Sequence, residues 1–431
     1  MTEATSLASL RERLVAEVQQ ASGVRDEGII AALRDVPRHL FLPHLAPADA
    51  YLDDAIVTKR DAAGQAISSS SQPAIMAIML DQLGLGAGQR VLEIGAGTGY
   101  NAALMSHITG PAGAVVSVDI DDDLAAQARG HLAAAGYPDV TVVAADGAGG
   151  YPPGAPYDRL IATVGVSDLA PAWLEQAGPG ARIVVPLSVR GSQVAVAFER
   201  AASGGHWVSR SVVPCGFMRI RGALAGPERI VALRAGLSLM LPDGLTLADG
   251  SEADGDALAA FLDGPGAEYA TGVSATSLQL WGFGLWLGPH DPRSCAITEE
   301  RPADGSPGRL ARAPFRWRAV ASTAALADSG GIAVLLLDSP APADGRWAGQ
   351  AGLTVAGSGP RGAALAADLA ALVQAWDQAG KPDATRLHVD AYPRSARPAD
   401  PGADPGAKPD AGSGGGLFIE RPATRFAVYH G

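Results

Sequence analysis

Apolar residues recur every three to four positions across 5–36, with Leu7, Leu10, Leu14 and Val18 on one stripe. That spacing predicts one or two amphipathic helices, ended by Pro37. From Leu85 the pattern changes to short continuous apolar runs: RVLEIGAG (90–97), AVVSVDI (114–120), VTVVAADG (140–147), YDRLIATVG (157–165) and ARIVVPL (181–187). Helix-like stretches such as DDDLAAQARGHLAAAG lie between them. Strands apolar on both faces and alternating with helices predict an α/β fold, a Rossmann-like and mostly parallel sheet with helices on both sides. SQVAVAFER (192–200) and HWVSRSVV (206–213) extend the sheet, with room for an antiparallel pair.

Beyond Gly222 the pattern supports a smaller α+β domain. Segments 229–240, 278–288, 331–338 and 386–392 read as strands. RGAALAADLAALVQAWDQAG (361–380) reads as a helix with Leu365, Leu369, Leu372, Val373 and Trp376 on one face. RPADPGADPGAKPDAGSGGG (397–416) has the composition of a disordered loop. LFIERPATRFAVYHG (417–431) returns to a strand pattern, so this segment is expected to pack back. The expected units are therefore 1–84 (helices and a loop), 85–222 (the Rossmann-like core) and 223–431 (a C-terminal extension).

Charge narrows the function classes. The 431 residues carry a net charge of −12 with only three lysines, Lys59, Lys381 and Lys408. Nucleic acid as a partner is disfavoured, because phosphate contact needs clustered cations. Cys215 and Cys295 read as reduced thiols, and no Cys/His group has metal spacing, so no metal is expected. The start, MTEATSLASLRERL, lacks a basic and then apolar signal, and IAVLLL (332–337) is too short to span a bilayer. A cytoplasmic chain without a membrane partner is the expectation.

The chemistry concentrates in VLEIGAGTGY (91–100). Here a strand ends at Glu93-Ile94, and Gly95, Gly97 and Gly99 alternate before a helix. Glycines let the backbone turn tightly and a ligand approach closely. The third glycine comes one residue too soon for a dinucleotide fingerprint. Asp119 ends the next strand, where an acid accepts from ribose hydroxyls, and Asp146-Gly147 ends the third. Asp121, Asp122 and Asp123 are expected to cap the following helix. A glycine loop, a ribose acid and a third-strand Asp, without a phosphate-binding lysine, describe a nucleoside pocket. That combination points to S-adenosyl-L-methionine, with S-adenosyl-L-homocysteine as product. The expected cofactor-binding residues are Glu93, Gly95, Ala96, Gly97, Thr98, Gly99, Tyr100, Asp119, Ile120, Asp146, Gly147, Gln72 and Thr163.

With these residues in place, roughly the first 220 positions resemble the protein-L-isoaspartate O-methyltransferase family. The matching stretches are VPRHLFLP, AYLDDAIVTK, GQAISSSSQPAIMA, VLEIGAGTGYNAALM, VVAADG and LEQAGPGARIVVPL, in the family's order and spacing. The resemblance implies methyl transfer to an aspartyl or isoaspartyl side-chain carboxylate. A methyl ester then lets the next backbone nitrogen displace methanol and close an aspartimide. It also gives a purpose to ISSSSQP (67–73), which composition alone reads as a linker. In the family this segment lies over the active site, so Ser68, Ser69 and Ser70 become the candidate catalytic residues. Ile67, Ser71, Val164, Gly165, Pro186 and Leu187 are the candidate substrate-binding ones. A carboxylate is already ionised at neutral pH, so alignment rather than a general base carries the chemistry. His39 is expected to pack locally and Cys215 to be buried and inert.

Two features depart from the family's repair enzymes: SSSSQP where many read SAPH, and the long extension. Both support a resemblance to C-terminally extended actinobacterial homologues, some encoded beside graspetides and lanthipeptides, which VSDLAPAWLEQ (166–176) and FIERPATRFAVYHG (418–431) also fit. That resemblance implies a cyclised ribosomal precursor peptide as partner, a normal aspartate as acceptor, and an extension that recognises substrate. Protein repair, an inactive cofactor-binding module and a small-molecule methyltransferase remain alternatives. Five of the seven tryptophans (Trp281, Trp286, Trp317, Trp347 and Trp376) fall in the extension, as core or as a peptide-binding surface.

Overall fold

The computed structural model describes residues 6–430 apart from 63, 65, 203, 228, 235, 243, 265, 301–307, 317–319, 341–348 and 395–416. The expected loop at 397–416, Trp317 and Trp347 lie outside the described residues. Helices α1 (Leu7–Ser22) and α2 (Glu27–Asp35) are capped by the Ser6 and Asp26 side chains. A short α3 (Pro47–Ala50) precedes a hairpin of β1 (Ile56–Arg60) and β2 (Ala66–Ser70). Helix α4 (Pro73–Leu83) follows, ended by Gly84 in the left-handed conformation.

The central sheet then begins. β3 (Arg90–Ile94), α5 (Tyr100–Thr109), β4 (Ala114–Asp119), α6 (Asp122–Ala134), β5 (Thr141–Ala144), β6 (Tyr157–Ala162), α7 (Pro171–Gln176) and β7 (Ala177–Val189) form its parallel part. β8 (Ser192–Arg200) and β9 (Trp207–Pro214) add antiparallel strands. A second, antiparallel sheet contains β10 (Ile230–Arg234), β11 (Leu237–Met240), β12 (Ala267–Ala275), β13 (Ser294–Glu300), β14 (Phe315–Arg316), β15 (Val320–Asp328), β16 (Gly331–Leu337) and β17 (Ala351–Ser358). Helices α8 (Gly255–Asp263), α9 (Ser277–His290) and α10 (Gly362–Gln378) accompany it.

The sheets do not divide the chain at residue 222. β18 (Leu387–Pro393), β19 (Leu417–Glu420) and β20 (Thr424–His430) return to the first sheet, in the order β19-β20-β18-β9-β8-β7-β6-β3-β4-β5. β18 pairs with β9 at Asp390–Val208 and Ala391–Trp207, covering what would otherwise be an open edge.

Alternation along the strands splits the first core in two. Val91, Val115, Ile161 and Val184 face a layer with α1, α2, α4 and α5, which places the N-terminal helices in the same core as the sheet. Leu92, Val116, Leu160 and Val185 face the other layer, with Trp173, Leu387, Val389 and Phe426. Segment 278–288, expected as a strand, is helical. Its sequence is apolar on nearly every side, so no 3.6-residue period shows. The decisive signal is the capping box, in which Thr276 accepts from the Gln279 amide and the Gln279 side chain accepts from the Thr276 amide. Among the described residues no helix is long and apolar enough to cross a membrane.

Candidate active site

A cavity of about 600 Å³ opens at the carboxyl ends of β3, β4 and β6. Its floor is the glycine loop. Gly97 has φ +51° and presents its bare Cα to the serine strand, where a Cβ would stand 3.6 Å from the Ser69 carbonyl. At Gly95 (φ +103°) a Cβ would come within 2.7 Å of the Thr163 hydroxyl, which donates to the Gly95 carbonyl at 2.6 Å. Asp119 accepts from the Gly97 amide (2.8 Å) and from the Asp121 amide (3.1 Å). Burial raises its carboxyl above the usual range, and those two amides oppose the rise.

The serines form a strand. Ser68, Ser69 and Ser70 pair with Lys59, Val57 and Ile56 across the hairpin. Thr58 donates to the Ser68 hydroxyl (3.1 Å), so the Ser68 hydrogen remains for another acceptor. The Ser70 hydroxyl is buried on the wall without a protein partner. Behind the strand, the fully buried Arg38 donates to the Ala50 carbonyl (2.9 Å) and the Ser71 carbonyl (3.2 Å), and its guanidinium lies 4.8 Å over Tyr100. Asp53 accepts from the Ala74 amide (2.8 Å) and from the Gln72 side chain (3.0 Å), which fixes the start of α4. His39 meets the Tyr51 hydroxyl at 2.9 Å.

Ionic contacts tie the hairpin to the cofactor side. Lys59 reaches Asp123 (2.7 Å) and Asp121 (3.2 Å), and Arg221 grips Asp121 with both nitrogens (2.7 and 3.1 Å). Asp121 therefore makes no side-chain cap to α6, contrary to the sequence expectation; Arg221 and Lys59 hold its carboxyl below the usual range. Arg221 belongs to segment 214–221, which supplies another wall of the cavity and includes Cys215. Cys215 is free and buried, and burial pushes its thiol up.

Ser68 to Gln72, Ile67, Gly95 to Thr98, Tyr100, Asp119, Ile120, Gly147, Thr163 and Val164 all meet on this cavity. Six expected residues are not on its wall. Glu93 points the opposite way from Ile94 and is fully buried, accepting from Asn101 (2.8 Å) and Ser117 (2.5 Å). Burial pushes its carboxyl up to about 7. Gly99 caps α5 and packs against Leu132. Asp146 spends its oxygens on the Ala148 amide (2.9 Å) and the Ala223 amide (2.8 Å). Gly165 is bound on both sides to segment 218–220. Val166 bridges to Leu187 and donates to the Pro186 carbonyl (2.8 Å), so residues 164–166 screen both. Sequence reasoning gave no role to Arg38 and Asp53 behind the wall, or to segment 214–221 and Val320 on it, and named Trp281 only among five tryptophans read as core or as a peptide-binding surface. Arg38 and Asp53 lie in VPRHLFLP and AYLDDAIVTK, two of the stretches that carry the resemblance, while segment 214–221 and Val320 lie in none of them.

The residues fit S-adenosylmethionine: a glycine cradle open to a ligand, an acid at the β4 end, apolar Ile120 and Leu124 beside it, and an unpartnered Ser70 hydroxyl. The comparisons agree. A family model described as protein-L-isoaspartate(D-aspartate) O-methyltransferase matches residues 9–223. Protein-L-isoaspartate O-methyltransferase 1 of Rhodopseudomonas palustris is 43% identical over 185 residues, 43% of this chain and 72% of the relative. Protein-L-isoaspartate O-methyltransferase 2 of Archaeoglobus fulgidus is 36% identical over 219 residues, 49% of this chain and 96% of the relative. A solved structure of the same name aligns at 24% identity with a TM-score of 0.47, covering 88% of this chain and 96% of that one. The chain belongs to the protein-L-isoaspartate O-methyltransferase family, whose members use S-adenosylmethionine to methylate a carboxylate oxygen.

Proposed function

We propose that this methyltransferase acts on an aspartyl side chain of a cyclised ribosomal peptide, giving aspartimide or isoaspartate through the methyl ester. One observation carries the reading. The serine strand and the glycine loop face one cavity, and the second sheet's unit adds Trp281 and Val320 to its wall. A substrate has to fit an opening shaped partly by the extension, which suits one defined peptide better than the varied surfaces of aged proteins.

The roles follow from the contacts. Asp119 accepts from the ribose hydroxyls, and the Gly95–Thr98 backbone and Gly147 cradle the rest of the nucleoside. S-adenosylmethionine supplies, when bound, an electrophilic methyl group. Ser68, held by Thr58, donates its hydroxyl to the acceptor carboxylate, with Ser69, Ser70, Ser71 and Gln72 as neighbours. The serine strand, segment 214–221 and Tyr100 exclude water.

A second reading, repair of isoaspartyl residues, is favoured by the relatives' names. Every described wall residue except Trp281 and Val320 lies inside the matched span 9–223. Mass spectrometry separates the two. The expected outcome is methylation of a cyclised peptide carrying normal aspartate, then net loss of water, with a short isoaspartyl peptide ignored. The reverse preference means repair. Silence on both with cofactor bound means a binding module, and methylation of a free metabolite alone means a small-molecule enzyme.

A further inference from the structure

Helix α9 is shared by both cores. Leu285 packs beneath the first sheet with Leu387 and Val389, while Leu280, Phe283, Trp286 and Leu287 pack in the second unit. Its backbone lies directly on the first sheet. A Cβ on Gly284 would stand 3.0 Å from the Ser192 hydroxyl, and one on Gly288 would stand 2.8 Å from the Arg190 Cβ. The helix backbone therefore approaches the β7–β8 turn more closely than a side chain at either glycine would allow. Trp281 lies one turn before Leu285 on the same face, and there it reaches the cavity. The Phe315 ring backs it at 4.5 Å. Leu278, one turn earlier again, is 60% exposed.

Strand order tells which end Trp281 serves. The nucleoside residues Asp119 and Gly147 sit at β4 and just past β5, on one side of β3. α9 rests at the β7–β8 turn on the other side, several strand spacings of about 4.8 Å away. Gln193, next to Ser192, accepts from the Phe217 amide (2.5 Å), placing that cavity residue at the same end. The nearby cations are engaged: Arg221 with Asp121, Arg219 with the Ala225 and Pro227 carbonyls. The wall beside Trp281 and Phe217 is largely apolar and includes Val57, which is 40% exposed, with Asp54 as the carboxylate of the hairpin side.

We infer that Trp281, backed by Phe315, is a specificity-determining wall that takes an apolar side chain adjacent in the peptide to the methyl-accepting residue. The inference rests on the reading of the chain as a peptide methyltransferase. Two peptides with the same acceptor, flanked by Leu or by Ser, test it on the full chain. Wild type is expected to favour the Leu peptide about tenfold or more in kcat/KM. Trp281→Ala should abolish that preference through KM on the Leu peptide, with kcat and S-adenosylhomocysteine affinity unchanged. Trp281→Phe, which keeps a ring against Phe315, should retain it and serves as the folding control. Equal use of both peptides by wild type overturns the inference alone, as does a preference that survives Trp281→Ala. Loss of cofactor affinity in Trp281→Ala also overturns it, placing Trp281 at the nucleoside. A wild type that binds cofactor but methylates neither peptide overturns the methyltransferase reading and this inference together.

Discussion

The two ends of the cavity are built by different means. The end we assign to the nucleoside comes from consecutive strand–turn–helix units, in which Gly95–Thr98 and Asp119 are placed by backbone geometry within about one βαβ unit. The end we assign to the acceptor is assembled from the hairpin 56–70, segment 214–221 and α9, which meet only through tertiary packing. The first end is suited to one invariant ligand. The second can be altered piece by piece without disturbing the first, which allows new substrates to be reached by changing remote segments.

The largest test of that contrast is Trp173→Ala. Trp173 is fully buried and donates to the Gly147 carbonyl (2.8 Å), so it holds the nucleoside end from beneath. A cost of about 3–5 kcal/mol in chemical denaturation is expected, with weaker cofactor binding in the folded fraction. Next comes Asp119→Ala, which removes a charged acceptor and should weaken S-adenosylhomocysteine by about 1.5–3 kcal/mol in calorimetry. Ser68→Ala should lower turnover by roughly 1.5 kcal/mol of lost hydrogen bonding and leave cofactor affinity unchanged. Should Ser68→Ala and Asp119→Ala weaken cofactor equally, the two ends are not independent.

Glu93 sharpens the same picture by pH. Its folded-state carboxyl sits at about 7, above the ordinary range, because it is buried under the glycine loop. The folded state therefore holds a proton that the unfolded chain releases near pH 4.5. Stability from this group falls as pH rises from there to about 7, then levels. Glu93→Gln should flatten that slope in melting temperatures measured across the range. The smallest effect is Lys59→Ala. It loosens a partly exposed ionic contact worth about 0.2–1 kcal/mol, read as faster amide exchange in β1 and β2 that salt reproduces in the wild type.

The parallel sheet, and the meeting of the glycine loop with Asp119 on one cavity, were legible because their signals are local: apolar runs, alternating glycines and an acid at a strand end. That the serines form a strand was not legible; resemblance to a family gave them a place at the cavity, as a loop. By composition Ser68–Ser71 reads as a linker, and pairing with Ile56–Arg60 is what orders it. Asp146 and Glu93 were expected on the cavity wall from their position at strand ends. Side-chain direction and competition from backbone amides decided otherwise. Trp281 was marked only by its residue type, shared with four other tryptophans, since its helix is apolar on nearly all sides and the helix's contacts with the first sheet, through Gly284, Leu285 and Gly288, lie far away in sequence.

The pairing of β18 with β9 has a consequence for synthesis. The partner of β9 is made only after about 175 further residues have been added, from Pro214 to β18 at Leu387–Pro393. At about 5–20 residues per second, that leaves the β9 edge bare for about 9–35 s. During that interval the nascent chain presents open backbone donors and acceptors beside apolar strands that await Val389 and Phe426. The completed enzyme has no such edge at β9, so a chaperone that shields nascent strands would matter for its yield and not for its rate of methyl transfer.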